Sequence, residues 1–226
     1  MRNEKLPLAV AALSLGLSGM AQAELSANIG VSSNYVWRGV TQTDNGAAVS
    51  GGIDYAHDSG FYAGTWVSNV DFNDASGSQT EWDLYAGFAG EAGDMGYDLG
   101  VIYYAYPTAN DGADELDFTE LYASLSYGAF TLGAHYTVDK EDSSAEENDL
   151  YVYVSAGTNL SDGWSVGGTI GHYDYDAGNR YQHAQLDIGK SVGEFGDFTL
   201  SFSKLDNDGT SNEEDALVFV SWAKSF

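Results

Sequence analysis

From Leu25 onward the chain alternates residue by residue. Leu25, Ala27, Ile29, Val31, Ser33, Tyr35 and Trp37 fall on one side, and Ser26, Asn28, Gly30, Ser32, Asn34, Val36 and Arg38 on the other. Period two is the side-chain repeat of a strand with one apolar face. The pattern recurs: Trp82, Leu84, Ala86 and Phe88 oppose Glu81, Asp83 and Tyr85, and Phe130, Leu132, Ala134 and Tyr136 oppose Thr131, Gly133 and His135. Segment 61–70 carries apolar residues in both phases, so its facing stays open. Twelve strands are predicted, near 25–38, 47–57, 61–70, 80–90, 95–106, 116–127, 130–138, 149–158, 164–173, 180–190, 197–204 and 215–226.

The connections alternate in length. Short ones lie at 57–60, 91–94, 128–129, 159–163 and 191–196; longer, acidic ones include 71–79, 107–115, 139–148 and 205–214. A sandwich has no reason to alternate in this way. A bacterial outer-membrane barrel does, with short periplasmic turns, longer outer loops, an even strand count and both termini on the periplasmic side. The fold expected is therefore an all-β, antiparallel transmembrane barrel of about 12 strands, with the acidic segment 139–148 outside the cell.

Residues 1–23 read as a secretory leader: Arg2 and Lys5 precede an apolar run from Leu6 to Leu17, and Ala21-Gln22-Ala23 supplies an A-x-A cleavage site. The run is too short to span a bilayer as a helix, which needs ~20 residues. The expected organisation is a leader cleaved after Ala23 and one barrel over 24–226, placed in the outer membrane. A formal charge of −26 excludes a protein held to nucleic acid by phosphate contacts. The absence of Cys excludes disulfides, thiolate metal sites and a Cys nucleophile. No cofactor is implied.

Aromatic residues in the outward phase gather at strand ends. Tyr55, Tyr97, Tyr127, Phe130, Trp164, Phe198 and Phe226 fall at the periplasmic rim, and Tyr35, Trp37, Trp82, Tyr103 and Tyr136 at the outer rim. Two girdles of this kind suit two membrane interfaces. The chain ends in Phe226, with Trp222, Val220 and Val218 in the same phase. This resembles the C-terminal signal by which the barrel-assembly machinery recognises outer-membrane proteins. Lys224 departs from the pattern and can snorkel to the interface.

The run Gly30-Val31-Ser32-Ser33-Asn34-Tyr35-Val36-Trp37-Arg38-Gly39-Val40-Thr41-Gln42-Thr43, with 48–55 and 60–72 after it, resembles the TorF-type porins, the Gcw_chp domain family. The resemblance implies a Gram-negative outer-membrane protein of porin type. Beyond residue 80 it extends only to length and hairpin rhythm.

By phase, the candidate pore-lining residues are the acids Asp54, Glu81, Asp83, Asp98, Glu120 and Asp187, the tyrosines Tyr85, Tyr104, Tyr122 and Tyr153, together with His135 and Arg38. Tyr151 and Tyr173 share the inward phase. Inward carboxylates in a wet lumen avoid the desolvation cost that a sandwich core would impose, and they are expected to favour cations. Aromatic faces beside carboxylates can hold an organic ammonium; they can equally fill volume in a narrow barrel. Arg38 suits a filter or gate, or a local pairing or a lipopolysaccharide phosphate at the outer rim. Lys140 is assigned to a loop.

Outer-membrane phospholipases use a lipid-facing His and Ser, and His172 is outward by phase, but no G-x-S-x-G occurs and no Ser is tied to His172 by sequence. The run Asp206-Asn207-Asp208-Gly209 resembles part of a calcium loop, yet Lys204 stands where the first ligand belongs. The function expected is passive diffusion of small hydrophilic solutes through a narrow pore, with outer-membrane lipid and lipopolysaccharide around it. The competing reading is a structural or adhesive barrel with a plugged lumen.

Overall fold

The computed structural model describes residues 24–73, 77–107, 116–141, 148–207 and 216–226. The expected leader and the loop residues 74–76, 108–115, 142–147 and 208–215 lie outside the described residues. With them go the cleavage site after Ala23 and half of the calcium-like run.

In chain order the strands are β1 (Glu24–Ser32), a short hairpin of β2 (Val36–Trp37) and β3 (Val40–Thr41), then β4 (Ala48–Ala56), β5 (Phe61–Asn69), β6 (Thr80–Ala92), β7 (Met95–Ala105), β8 (Phe118–Tyr127), β9 (Phe130–Lys140), β10 (Leu150–Asn159), β11 (Trp164–Asp174), β12 (Arg180–Ser191), β13 (Asp197–Asn207) and β14 (Leu217–Ser225). All but β2 and β3 pair antiparallel with their neighbours and close into one twelve-stranded barrel. Asn28 of β1 lies opposite both Gly52 of β4 and Ser225 of β14. The Phe226 amide donates to Ala27 O at 2.8 Å, and the Ala27 amide returns a bond of 3.2 Å, so the terminal residue helps to seal the seam. Strands of nine to thirteen residues match a bilayer crossing.

The outer face is apolar. Ile53, Leu84, Leu99, Leu121, Val154, Ile170 and Val218 all stand exposed. A continuous belt of this kind needs lipid around it. Trp82, Tyr136, Tyr127, Phe130, Trp164, Phe198 and Phe226 are also exposed, toward the strand ends. Glu24, Phe226 and the connections 57–60, 93–94, 128–129, 160–163 and 192–196 share one end of the barrel; 33–47, 70–73, 77–79, 106–107, 116–117, 141, 148–149, 175–179 and 216 share the other.

Three sequence assignments change. The first strand ends at Ser32 rather than at 38, and Tyr35 and Trp37 lie inside the barrel rather than at its outer rim. The physical reason is local. Ser32 Oγ donates to Asn34 O at 2.6 Å, the Thr41 hydroxyl donates to Asn34 Oδ1 at 2.7 Å, and the Tyr35 amide donates to Thr43 Oγ1 at 3.1 Å. These side-chain bonds compete with the ladder and turn the backbone inward. Beyond them the chain forms its own hairpin, with period two of its own. Arg38 (φ 48°) and Gly39 (φ 89°) sit between the paired Trp37 and Val40, the two positive φ values that a two-residue type I′ turn requires. Lys140, assigned to a loop, ends β9 and pairs with Asp149 at 2.9 Å.

The open facing of 61–70 resolves as well. Tyr62, Trp66 and Ser68 point inward, with Trp66 against Tyr35, while Phe61 is exposed to the outside. Trp66 takes the inward phase to pack on Tyr35 beside the inserted hairpin, whereas Tyr62 bonds Asp98 and Tyr122 along the wall.

Glycine and tyrosine are used as a pair along the wall. Gly64 lies opposite Tyr85, Gly100 opposite Tyr122 and Gly133 opposite Tyr153. A Cβ at any of these glycines would strike the ring of its partner, so each ring lies flat over bare backbone. Gly100→Val is expected to lift Tyr122 from the wall and cost about 1–3 kcal/mol by overpacking. Urea unfolding in lipid vesicles measures this; an unchanged midpoint would mean that Tyr122 is not held there.

Candidate lumenal site

The lumen has two unlike halves. Toward the short turns the inward residues include small polar ones, Ser26, Ser126, Thr131 and Ser165, each half-buried, together with Tyr62 and the acids Asp54, Asp98 and Asp187. Toward the long loops the 33–47 segment folds in and crosses the interior. Tyr35 meets Trp66 of β5 and Glu81 of β6; Trp37 meets Tyr104 of β7, Phe118 of β8 and Tyr173 of β11; Gly39 faces His183 of β12. The hairpin thus touches both sides of the barrel.

Arg38 is its tip. Nη1 donates to Glu120 Oε1 at 2.8 Å and Nη2 to Oε2 at 2.6 Å. The paired side chains are 6% and 1% exposed. Charge-assisted, bidentate geometry of this kind is among the stronger protein contacts. The guanidinium carbon also lies 4.1 Å from the Trp37 ring centre, 4.5 Å from that of Tyr151 and 5.5 Å from that of Tyr173, within cation–π range. Burial alone would weaken the hold of the guanidinium on its proton. The Glu120 charge outweighs this and keeps the Arg38 pKa above its ordinary value, so the tip is a cation. Glu120 also lies 3.2 Å from His135 Nδ1 and accepts from Tyr104 OH at 3.3 Å. A β-bulge against β9 shifts the register between Thr119 and Glu120, a device that re-aims side chains.

The other acids are held differently. Glu81 accepts from Tyr35 OH at 2.7 Å and from Tyr106 OH at 2.9 Å. Burial first, and then the Glu81 charge, push both phenols up, so both stay donors. Asp83, two residues on and on the same face of β6, is 3% exposed, and its Oδ1 has no hydrogen-bond partner among the described residues. Asp98 accepts from Tyr62 OH at 2.5 Å, and Tyr62 bonds onward to Tyr122. Asp54 accepts from Tyr85 and from Asn28 Nδ2, the latter at 3.2 Å. Asp187 accepts from Ser201 Oγ at 2.6 Å and Gln185 Nε2 at 3.0 Å.

The candidate pore-lining residues point into the barrel, Arg38 through the inserted hairpin and not through the phase of the first strand. Arg38, Glu120, His135 and Tyr104 meet in one cluster; Glu81 and Asp83 sit on the adjoining wall. Asp54, Asp98, Tyr85 and Tyr122 form tyrosine–carboxylate pairs, and Tyr153 stacks on Tyr151. Asp187 stands apart from the hairpin. Sequence reasoning did not place Trp37, Tyr35, Tyr62, Trp66 or His183 at this cluster. The signal that points to Trp37 is Arg38-Gly39 itself, a two-residue turn with Gly second, flanked by Val36-Trp37 and Val40-Thr41. His172 lies in the outward phase of β11, beside the exposed Ile170.

A family model described as "Bacterial protein of unknown function (Gcw_chp)" matches residues 18–220. No curated protein matches the chain. Among solved structures, a KdgM porin aligns with a TM-score of 0.54 and 7% identity, over 89% of this chain and 98% of that one. A KdgM porin in complex with disordered oligogalacturonate aligns with a TM-score of 0.52 and 6% identity, over 89% of this chain and 97% of that one. At such identities the likeness is one of fold.

Proposed function

The chain belongs to the Gcw_chp family, and from the geometry of its lumen we propose that it is an outer-membrane channel for passive diffusion of small hydrophilic solutes, with cations preferred. The observation that carries this reading is the inward face. Six carboxylates, Asp54, Glu81, Asp83, Asp98, Glu120 and Asp187, point into the barrel against the Arg38 guanidinium, while Lys140 at the rim is neutralised by Asp149. Acidic walls backed by low dielectric concentrate cations and repel anions. A polyanion such as the oligogalacturonate named with one structural neighbour is disfavoured by the same field. The TorF-type motif at 30–43 supports a porin role. The proposed setting is export with cleavage after Ala23, recognition of Phe226 by the assembly machinery, long loops outside the cell and lipopolysaccharide at the rim. The lumenal groups bind and orient ions; no nucleophile or water-activating pair is invoked, so the protein is read as a channel rather than an enzyme.

One observation favours a second reading. The hairpin crosses the lumen, so a closed structural or adhesive barrel is the alternative. Single-channel recording in planar bilayers separates the two: the channel reading expects discrete conductance steps from the wild-type protein, and a silent bilayer for wild type and hairpin-deleted protein alike would favour the closed barrel.

A further inference from the structure

We infer that the wall around Glu120 is a binding site for organic cations that carry a guanidinium group, and that Arg38 is its intramolecular occupant. The inference deepens the channel reading and rests on it for its biological use. The seat is built by the barrel itself: Glu120 and Tyr104 come from β8 and β7, Tyr151 and Tyr173 from β10 and β11. Its occupant comes from a hairpin outside the barrel ladder, whose own sheet is two residue pairs long. The seat supplies a carboxylate edge for both arms of a planar fork and ring faces at 4.5 and 5.5 Å for its flat sides. A compact ammonium cannot use the fork. What fits is therefore shown by the group already there.

A second, independent observation points to a further cation. Among the described residues, Asp83 is 3% exposed with an Oδ1 that has no partner, and Glu81 beside it is met by phenols rather than by a base. Tyr104 is the ladder partner of Asp83 and bonds Glu120, so the two acidic groups adjoin across one strand. Docking of Arg38 neutralises Glu120 and leaves Asp83 unmatched. A solute with a guanidinium at one end and an amine at the other would satisfy both. It must compete with a tethered rival: a short linker gives a group an effective concentration on the order of millimolar. Exchange is therefore expected at millimolar solute.

The test uses the full barrel in nanodiscs, with its tryptophans replaced by 5-fluorotryptophan and read by ¹⁹F NMR. Trp37→Phe identifies the Trp37 signal. Agmatine is expected to shift that signal saturably at millimolar concentration, leaving Trp82 and Trp164 on the outer face unmoved. Putrescine, a diamine without the fork, is expected to need at least about tenfold more. Arg38→Lys weakens the tethered rival and should tighten agmatine binding about tenfold, a gain that a merely structural role for Arg38 would not produce. Glu120→Gln should lose the binding, and Asp83→Asn should weaken agmatine but not methylguanidinium. Equal binding of putrescine and agmatine, or no tightening in Arg38→Lys, would overturn the inference; Arg38 lies outside the barrel ladder, so this variant does not threaten folding. Wild-type protein that binds agmatine but never conducts would leave the site standing and remove the channel; conduction without fork-selective binding would do the reverse.

Discussion

Replacing Val36–Thr41 with Gly-Gly is expected to raise single-channel conductance several-fold. The excision is local: the Gln42 amide already donates to Tyr35 O at 2.7 Å, so a two-residue turn closes the gap. No barrel strand loses a ladder bond. The change removes Trp37 from between Tyr104, Phe118 and Tyr173, and Arg38 from Glu120. It also removes the inward guanidinium that offsets the acids, so cation preference should strengthen along with conductance. Eight strands leave an interior that side chains fill, and sixteen leave an aqueous channel. Twelve strands leave room for one inserted hairpin, and its removal should leave a water-filled bore. Unchanged conductance in the excised protein would mean that the hairpin does not limit flow.

Glu120→Ala is expected to undock the hairpin. Removing one partner of a buried ion pair costs about 3–5 kcal/mol, because the other charge is left uncompensated. Arg38 can escape that cost by leaving the seat for water. The docked hairpin should then become the minor form, since about 1.4 kcal/mol is a tenfold change in population. Trypsin reports the change directly. In the wild-type protein the Arg38-Gly39 bond is buried under Trp37 and His183 and should resist cleavage. In Glu120→Ala, limited digestion followed by mass spectrometry should find a cut after Arg38, while the barrel keeps its heat-modifiable mobility on gels. Continued protection of this bond would mean that aromatic packing, not the ion pair, holds the tip.

Much of the barrel was legible because lipid and water impose opposite demands on alternate residues. The outward sets headed by Leu84, Leu121 and Leu132 could be read from alternation alone, and so could the acids that alternate with the first two, Glu81, Asp83 and Glu120. Alternation failed where a third environment intervened. Tyr35 and Trp37 continue the phase of Leu25 and Ile29, yet they belong to a hairpin that carries its own period-two pattern into the lumen. Segment 61–70 looked two-faced because Trp66 packs on Tyr35 beside this hairpin and Tyr62 bonds Asp98 and Tyr122 along the inner wall, so neither faces open water. The cluster at Glu120 joins residues far apart in the chain, such as Arg38 and Glu120, 82 positions apart, and no spacing rule reaches across that distance. The tip was the exception: Arg38-Gly39 is local turn chemistry, visible once a strand break is allowed after Ser32.

The reversal potential of the wild-type protein in a planar bilayer under a KCl gradient tests the central claim most directly. The six inward carboxylates should make K⁺ carry most of the current. Their effect should fade at high salt, because the Debye length falls from ~10 Å at 0.1 M to ~3 Å at 1 M. Changing Glu81 and Asp83 together to Gln and Asn should move the reversal potential toward zero. A pore that prefers Cl⁻, or a reversal potential indifferent to the Glu81 and Asp83 change, would contradict the account of an acidic, cation-preferring lumen.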